Sequence, residues 1–285
     1  MNQDIIDLYD RFTHGGMNRR TFFDRLVALA GGTVAANAAL ILLQNDYARA
    51  ETVPEGDARI KAETVALDAG GTTINAYLAR PANGTTFPMV IVIHENRGLN
   101  PHIKDVTRRL ATAGFMAAGV DLLTPLGGTP ADEDKARDMI GQLKGPDVTN
   151  WLKGVDAALR QRPDSNGKVG AVGFCWGGGA VNQLAVADPN LNAAVAYYGK
   201  QPDAAQVPSI KAPLLLHYGG LDQGIDAGIP AYEAALKANS KNYRIYVYDG
   251  ANHAFNNDTN AARYNKEAAD LAWGRTLDFL KQNLG

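Results

Sequence analysis

The sequence predicts an α/β fold: a mostly parallel central sheet flanked by helices on both faces. Three observations lead there. Short apolar runs such as Val90–Ile93 and Leu214–Leu216 read as strands buried on both faces. Segments with helical periodicity alternate with such runs from about residue 60 to the C-terminus. Short loops rich in Gly, Pro and Asp connect them, and no long linker interrupts residues 60–285. Residues 51–285 are therefore read as one domain and residues 1–50 as a separate segment.

That N-terminal segment has two readings. Asn18-Arg19-Arg20-Thr21-Phe22-Phe23 places a twin arginine before aromatics, and Leu26 to Asn45 carries no charge. Ala48-Arg49-Ala50 then offers a small-x-small site before Glu51. This order resembles a twin-arginine export signal, which would place the mature protein in the periplasm. Thr33 and Asn37 interrupt the apolar stretch, so it is a weak membrane anchor, and no membrane span is expected in a mature form. The alternative is a retained helical extension of a cytoplasmic protein. Ile5, Ile6, Leu8, Tyr9 and Phe12 share one helical face, as a docking helix requires and a disposable signal does not.

Further along, strands are expected at Glu63–Leu67, Thr73–Ala79, Pro88–His94, Phe115–Val120, Val169–Val172, Ala193–Tyr198, Pro213–Tyr218 and Tyr243–Tyr248. The first two lack an intervening helix and read as an antiparallel hairpin. Helices are expected near 102–113, 132–144, 147–161, 176–187, 229–238 and 261–283. In such sheets, functional groups gather on the loops at the carboxyl ends of the strands.

Composition narrows the function. With 28 Lys+Arg against 30 Asp+Glu, net charge is −2, which argues against electrostatically driven nucleic-acid binding. One cysteine, Cys175, excludes an intrachain disulfide and any multi-cysteine zinc or iron–sulfur site.

Cys175 sits in the most informative segment, Val169-Gly170-Ala171-Val172-Gly173-Phe174-Cys175-Trp176-Gly177-Gly178-Gly179. A strand runs into Gly-x-Cys-x-Gly and a helical pattern follows. That is the context of a nucleophile elbow, with Cys where Ser usually stands. The turn is sharp, so the residues two before and two after the nucleophile must be small; Gly173 and Gly177 are. The following helix N-terminus favours a thiolate. The competing reading is a buried cysteine before a glycine run. A dinucleotide loop is disfavoured, because Gly-x-Gly-x-x-Gly spacing is absent.

A cysteine nucleophile needs a base and a group that orients it. Two histidines follow the elbow. His217 lies inside an expected strand and reads as structural; His253 lies in the loop after the last one. Asp222 follows a strand through Gly219-Gly220-Leu221, while Asp226, the competing acid, lies four residues further on. In the resulting scheme His253 accepts the thiol proton, Asp222 holds the imidazole, and the thiolate attacks an ester or lactone carbonyl. The backbone amides of Trp176 and Asn96 are expected to form the oxyanion hole.

Together, His94-Glu95, Gly173-Phe174-Cys175-Trp176-Gly177-Gly178, Tyr197-Tyr198-Gly199, Gly219-Gly220-Leu221-Asp222 and His253-Ala254-Phe255 resemble the dienelactone hydrolase (carboxymethylenebutenolidase) family over roughly residues 60–285. The resemblance implies an α/β-hydrolase fold and a Cys–His–Asp triad without metal or organic cofactor. It also implies that Glu95 hydrogen-bonds the nucleophile and helps form the thiolate.

The sequence departs from the family where two arginines should meet a substrate carboxylate. Leu122–Pro130 and Gln223–Pro230 contain none. Arg97 is placed to contact an anionic group instead, or to pair with Asp121 or Glu95. Trp176, Tyr197, Tyr198 and Phe255 are expected to help line the pocket. The leading expectation is thus a hydrolase of a small ester or lactone. The alternatives are a general carboxylesterase of the same fold and a non-catalytic small-molecule-binding protein. A cysteine peptidase fits less well, since no acid beyond His253 is evident for an amine leaving group, and a redox thiol fits less well, since no resolving cysteine exists. Oligomeric state is not legible.

Overall fold

The structure is a computed structural model that describes residues 1–47 and 51–285. The expected cleavage site at 48–50 lies outside the described residues.

Three helices open the chain: α1 (Gln3–Thr13), α2 (Arg19–Ala30) and α3 (Thr33–Leu43). The twin arginine begins α2, and the Asn18 side chain accepts the Thr21 backbone N–H at 2.8 Å, a helix N-cap. Ile5, Leu8, Tyr9 and Phe12 of α1 pack with Phe22, Leu26, Ala36 and Leu43 into a small core of their own. The face expected for a docking helix is thus buried. No single helix among the described residues is long and apolar enough to cross a membrane; α2 and α3 reach that length only together, across a 113° bend.

A sheet of eight strands follows: β1 (Ile60–Asp68), β2 (Thr73–Pro81), β3 (Phe87–Ile93), β4 (Met116–Asp121), β5 (Ser165–Phe174), β6 (Ala193–Tyr197), β7 (Leu214–Gly219) and β8 (Tyr243–Tyr248). Their order is β1-β2-β4-β3-β5-β6-β7-β8. β1 and β2 form the expected antiparallel hairpin, β2 runs antiparallel to β4, and every other pairing is parallel.

The buried apolar runs explain why helices cover both faces. Along β3, Met89, Ile91 and Ile93 point into one core, while Val90 and Val92 point into the other. α6 (Gly145–Arg160), α7 (Trp176–Ala187) and α9 (Ile229–Ala238) close the first core. α4 (Pro101–Thr112) and α10 (Lys266–Leu284) close the second. Each such fully buried aliphatic side chain contributes about 1.5–3 kcal/mol. α5 (Glu133–Ile140) and the single turn α8 (Gln223–Asp226) lie in loops at the carboxyl edge. α5 stops earlier than its periodicity predicts, followed by Gly141. α10 starts later, where the Asn265 side chain accepts the Ala268 N–H at 3.1 Å.

Candidate active site

The strand β5 ends at Phe174 and α7 begins at Trp176, leaving Cys175 alone at the corner with φ 54° and ψ −117°. A positive φ is unfavourable for a residue with a Cβ, so packing must enforce it. The enforcing contacts are visible. A Cβ on Gly177 would stand 2.4 Å from the His94 carbonyl oxygen, and one on Gly173 would stand 2.2 Å from that of Gly177. The Cys175 N–H donates to the Tyr197 carbonyl at 3.0 Å, and the Gly179 N–H to the Cys175 carbonyl at 3.1 Å. Trp176 is the first residue of α7, so its own N–H has no acceptor within the helix.

Because β7 and β8 are parallel neighbours, the loops after them leave the same edge of the sheet. Asp222 and His253 sit on those loops. His253 Nδ1 lies 2.5 Å from Asp222 Oδ2, and the other Asp222 oxygen accepts the Ile225 N–H at 3.3 Å. His253 Nε2 is buried and faces the Cys175 thiol, with no other partner among the described residues. Asp226 does not share the imidazole: its Oδ1 is buried without a partner among the described residues, and burial and then Asp222 push its carboxyl up to about 6. His217 is a core residue, held between the Tyr248 hydroxyl at 2.9 Å and Thr276 Oγ1 at 3.2 Å, and burial brings it down to about 3.

An unforeseen residue completes the cluster. His14, at the corner after α1, brings Nε2 to 3.3 Å from Cys175 Sγ. Its Nδ1 lies 2.7 Å from the Asp10 carbonyl, and its ring meets that of His253 edge to face at 4.7 Å. Burial opposes ionisation of the Cys175 thiol, but the charges of His253 and then His14 outweigh it and bring the thiol down to about 6. The same interactions, led by Cys175, raise both imidazoles against their burial.

The remaining expected residues are placed as follows. Glu95 is buried, and its oxygens accept from the Tyr198 hydroxyl at 3.3 Å and the Asn257 amide at 2.8 Å. The bond to the nucleophile that the resemblance implied is absent among the described residues; His14 makes that contact instead. The Asn96 side chain donates to the Thr13 carbonyl at 2.8 Å, tying the loop after β3 to the end of α1.

Arg97 pairs with neither Asp121 nor Glu95. It is buried against Asp134 Oδ1 at 3.4 Å and the Glu133 carbonyl at 3.1 Å, because Asp121 already accepts from the Thr129 N–H and hydroxyl. Tyr198 does line the cavity beside Cys175. Phe255 does not: it is fully buried among Tyr198, Tyr248 and Tyr197, a core residue. Tyr197 is likewise internal, its hydroxyl 2.7 Å from Thr276 Oγ1.

The cavity holds about 500 Å³, within the range of small-molecule sites. Cys175, His253, His14, Trp176, Tyr198 and Lys200 are on its wall. Sequence reasoning also missed Arg263, buried near Cys175 and paired with Asp10 of α1 at 2.8 Å. Neither His14 nor Arg263 belongs to a local motif. The one available signal for His14 was its position at the end of the amphipathic first helix.

Comparison with known proteins gives the family. A model described as the dienelactone hydrolase family matches residues 74–284, and one described as YqhI-like matches residues 1–30. A protein of Saccharolobus solfataricus, provisionally named a carboxymethylenebutenolidase, is 34% identical over 251 residues, covering 75% of this chain and 96% of its own. A Bradyrhizobium protein, provisionally named a 2-oxo-3-(5-oxofuran-2-ylidene)propanoate lactonase, is 33% identical over 78% of this chain and 96% of its own. Among solved structures, one from Klebsiella pneumoniae, titled with the dienelactone hydrolase name, superposes with a TM-score of 0.70 at 31% identity, covering 78% of this chain and 99% of its own. A metagenomic dienelactone hydrolase-like phosphotriesterase shares the fold at TM-score 0.72 and 23% identity, covering 80% of this chain and all of its own. From β2 to the last helix, the chain belongs to the dienelactone hydrolase family, whose α/β-hydrolase fold it has.

Proposed function

We propose that this protein hydrolyses a small ester or lactone through a covalent thioester on Cys175. Membership of the family makes it a hydrolase of ester or lactone bonds. The observation that supports the finer reading is the cluster itself: a thiol brought down to about 6, facing an imidazole whose far nitrogen is held by Asp222 at 2.5 Å.

The steps follow from the positions. The Cys175 thiolate attacks the carbonyl carbon, and the Trp176 and Asn96 amides take up the oxyanion. Collapse expels an alkoxide or enolate, which receives the proton held on His253 Nε2. A water molecule then enters, gives its proton to the same nitrogen and releases the acid from the thioester. Glu95 serves as a positioning residue for Tyr198 rather than at Sγ. An enolate leaves more readily than an amine, which favours lactone and enol-ester substrates over amides. An anionic end of the substrate would face Lys200, which stands on the cavity wall together with Asp203.

Acid-quenched mass spectrometry during turnover of an activated ester tests the reading. It should show the acyl mass on the peptide carrying Cys175. Turnover with no such adduct would leave a general-base route and exclude the thioester. A second expectation concerns pH. Alkylation of Cys175 by iodoacetamide should rise through a midpoint near pH 6, because the thiolate forms there rather than near its ordinary value of about 8.5. A midpoint above pH 8 would mean that the imidazoles do not stabilise the thiolate.

Residues 1–47 support the retained reading over export. Beyond His14, Asp10 pairs with Arg263, the Asn260 side chain donates to the Leu43 carbonyl at 2.6 Å, and the Asp46 N–H to the Thr259 carbonyl at 2.8 Å. Removing the segment would strip these partners and one member of the catalytic cluster. Intact mass of the protein isolated from its native cells should correspond to 30.4 kDa, with at most the initiator methionine lost. A protein beginning at Glu51 would establish export instead.

A further inference from the structure

We propose that His14, Cys175 and His253 form a binding site for a divalent first-row metal ion of the zinc class, and that its occupancy silences the nucleophile. The site shares Cys175 and His253 with the reading above but does not depend on turnover.

The three side chains offer Sγ and one ring nitrogen each, all within 4.8 Å of one another. Two imidazoles and a thiolate are a donor set that zinc and cobalt accept, with a fourth position left for water. Both histidines are oriented as metal ligands are. His14 Nδ1 is spent on the Asp10 carbonyl at 2.7 Å, and His253 Nδ1 on the Asp222 carboxylate at 2.5 Å. That fixes each tautomer and turns Nε2 toward the sulfur, the outer-shell pattern that raises ligand basicity. His253 Nε2 is buried and otherwise unpartnered.

Distances favour this too. Donors around a tetrahedral zinc stand roughly 3.5 Å apart when bonds are about 2.0 and 2.3 Å. His14 Nε2 and Cys175 Sγ are already 3.3 Å apart. The widest edge must close by roughly an ångström around such an ion. Gly15, with φ 84°, and Gly16 follow His14 and make that corner compliant. Access exists as well. A second cavity, about 530 Å³, also has His14 and His253 on its wall, together with Asp7, Asp10, Arg11 and Asp222.

Binding is a substitution of protons by metal. The ion takes a lone pair from Sγ and one from each Nε2, and the protons on the imidazoles or the thiol leave to solvent. No electron is transferred. Affinity should therefore fall as pH falls. With its lone pair engaged, Sγ cannot attack a carbonyl, and His14 is pinned over the nucleophile.

Cobalt(II) is the probe. Titration of the full-length protein should give one equivalent bound and a thiolate-to-cobalt charge-transfer band in the near ultraviolet. Cys175→Ser should abolish the band. His14→Ala should weaken binding by at least about tenfold, comparable with the larger effects of disturbing a metal's ligand environment. His14→Gln, which keeps the side chain's reach, should do the same. In wild type, ester hydrolysis should fall in step with occupancy and return with a chelator. A band that survives Cys175→Ser, or equal affinity in wild type and both His14 variants, overturns the site. Cobalt binding by a wild type that hydrolyses nothing would sink the proposed function and leave this inference standing.

Discussion

Cys175→Ala should lower hydrolysis of a small activated ester by on the order of 10⁴-fold or more, to near the buffer rate. The size follows from what the thiol does at that corner. It is the only cysteine in the chain, and the charges of His253 and His14 bring it down to about 6 against its burial. At neutral pH most of it is therefore thiolate, and no neighbouring group can replace that nucleophile. His253 could activate a water molecule directly, but without a covalent intermediate both difficult steps fall on one transition state. The fold should survive, since alanine is smaller than cysteine and meets the same positive φ of 54°. A melting temperature within a few degrees of wild type would establish that the loss is chemical. Retention of activity within tenfold would remove Cys175 from the reaction and move the non-catalytic binding reading ahead.

The parts of the molecule legible in the sequence were those fixed by local physics. All eight strands fall where apolar runs or alternation placed them; the central ones, such as β3, β4, β6 and β7, are buried on both faces and tolerate little else. The elbow was legible for a steric reason: Gly173 and Gly177 have backbone oxygens within 2.5 Å of where a Cβ would lie, so sequence and geometry carry the same constraint. Asp222 and His253 were found because parallel strands deliver their loops to one edge. Their separation of 31 positions then collapses to a 2.5 Å contact.

Contacts that depend on docking were not legible. His14 lies 161 positions from Cys175, and nothing near it in sequence says what α1 packs against. The amphipathic face of α1 did announce a docked helix, but not its destination. Arg97 and Phe255 failed for a related reason. Their loops were placed correctly at the carboxyl edge, yet which way a side chain turns there depends on competitors. Glu133 and Asp134 of α5 capture Arg97, and three tyrosines enclose Phe255. Glu95 shows the same effect, with Tyr198 and Asn257 occupying the oxygens expected at the nucleophile.

The competition between two acids gives the other large effect. Asp222→Asn should cut kcat/KM by roughly 10²–10⁴-fold, while Asp226→Asn should stay within about threefold of wild type. Both residues stand on the same short turn, so the comparison separates orientation from general charge. Asp222 accepts the Nδ1 proton of His253 and keeps Nε2 free to take a proton. An asparagine there can offer its own N–H to Nδ1, which moves the ring proton to Nε2 and inverts the tautomer. It also removes the negative charge that helps raise His253, so the imidazolium partner of the thiolate is depleted and the alkylation midpoint of Cys175 should move upward. The local fold gives no reason for collapse, because Asn is as good an N-cap as Asp and can still accept from the Ile225 N–H. Asp226 has no such bond to lose. Its carboxyl is pushed up to about 6 by burial and by Asp222, so it is partly neutral already and an amide imitates that form closely. If Asp226→Asn proved the more damaging change, the roles of the two acids would be reversed. The short Asp222–His253 contact would then be structural rather than part of the proton path.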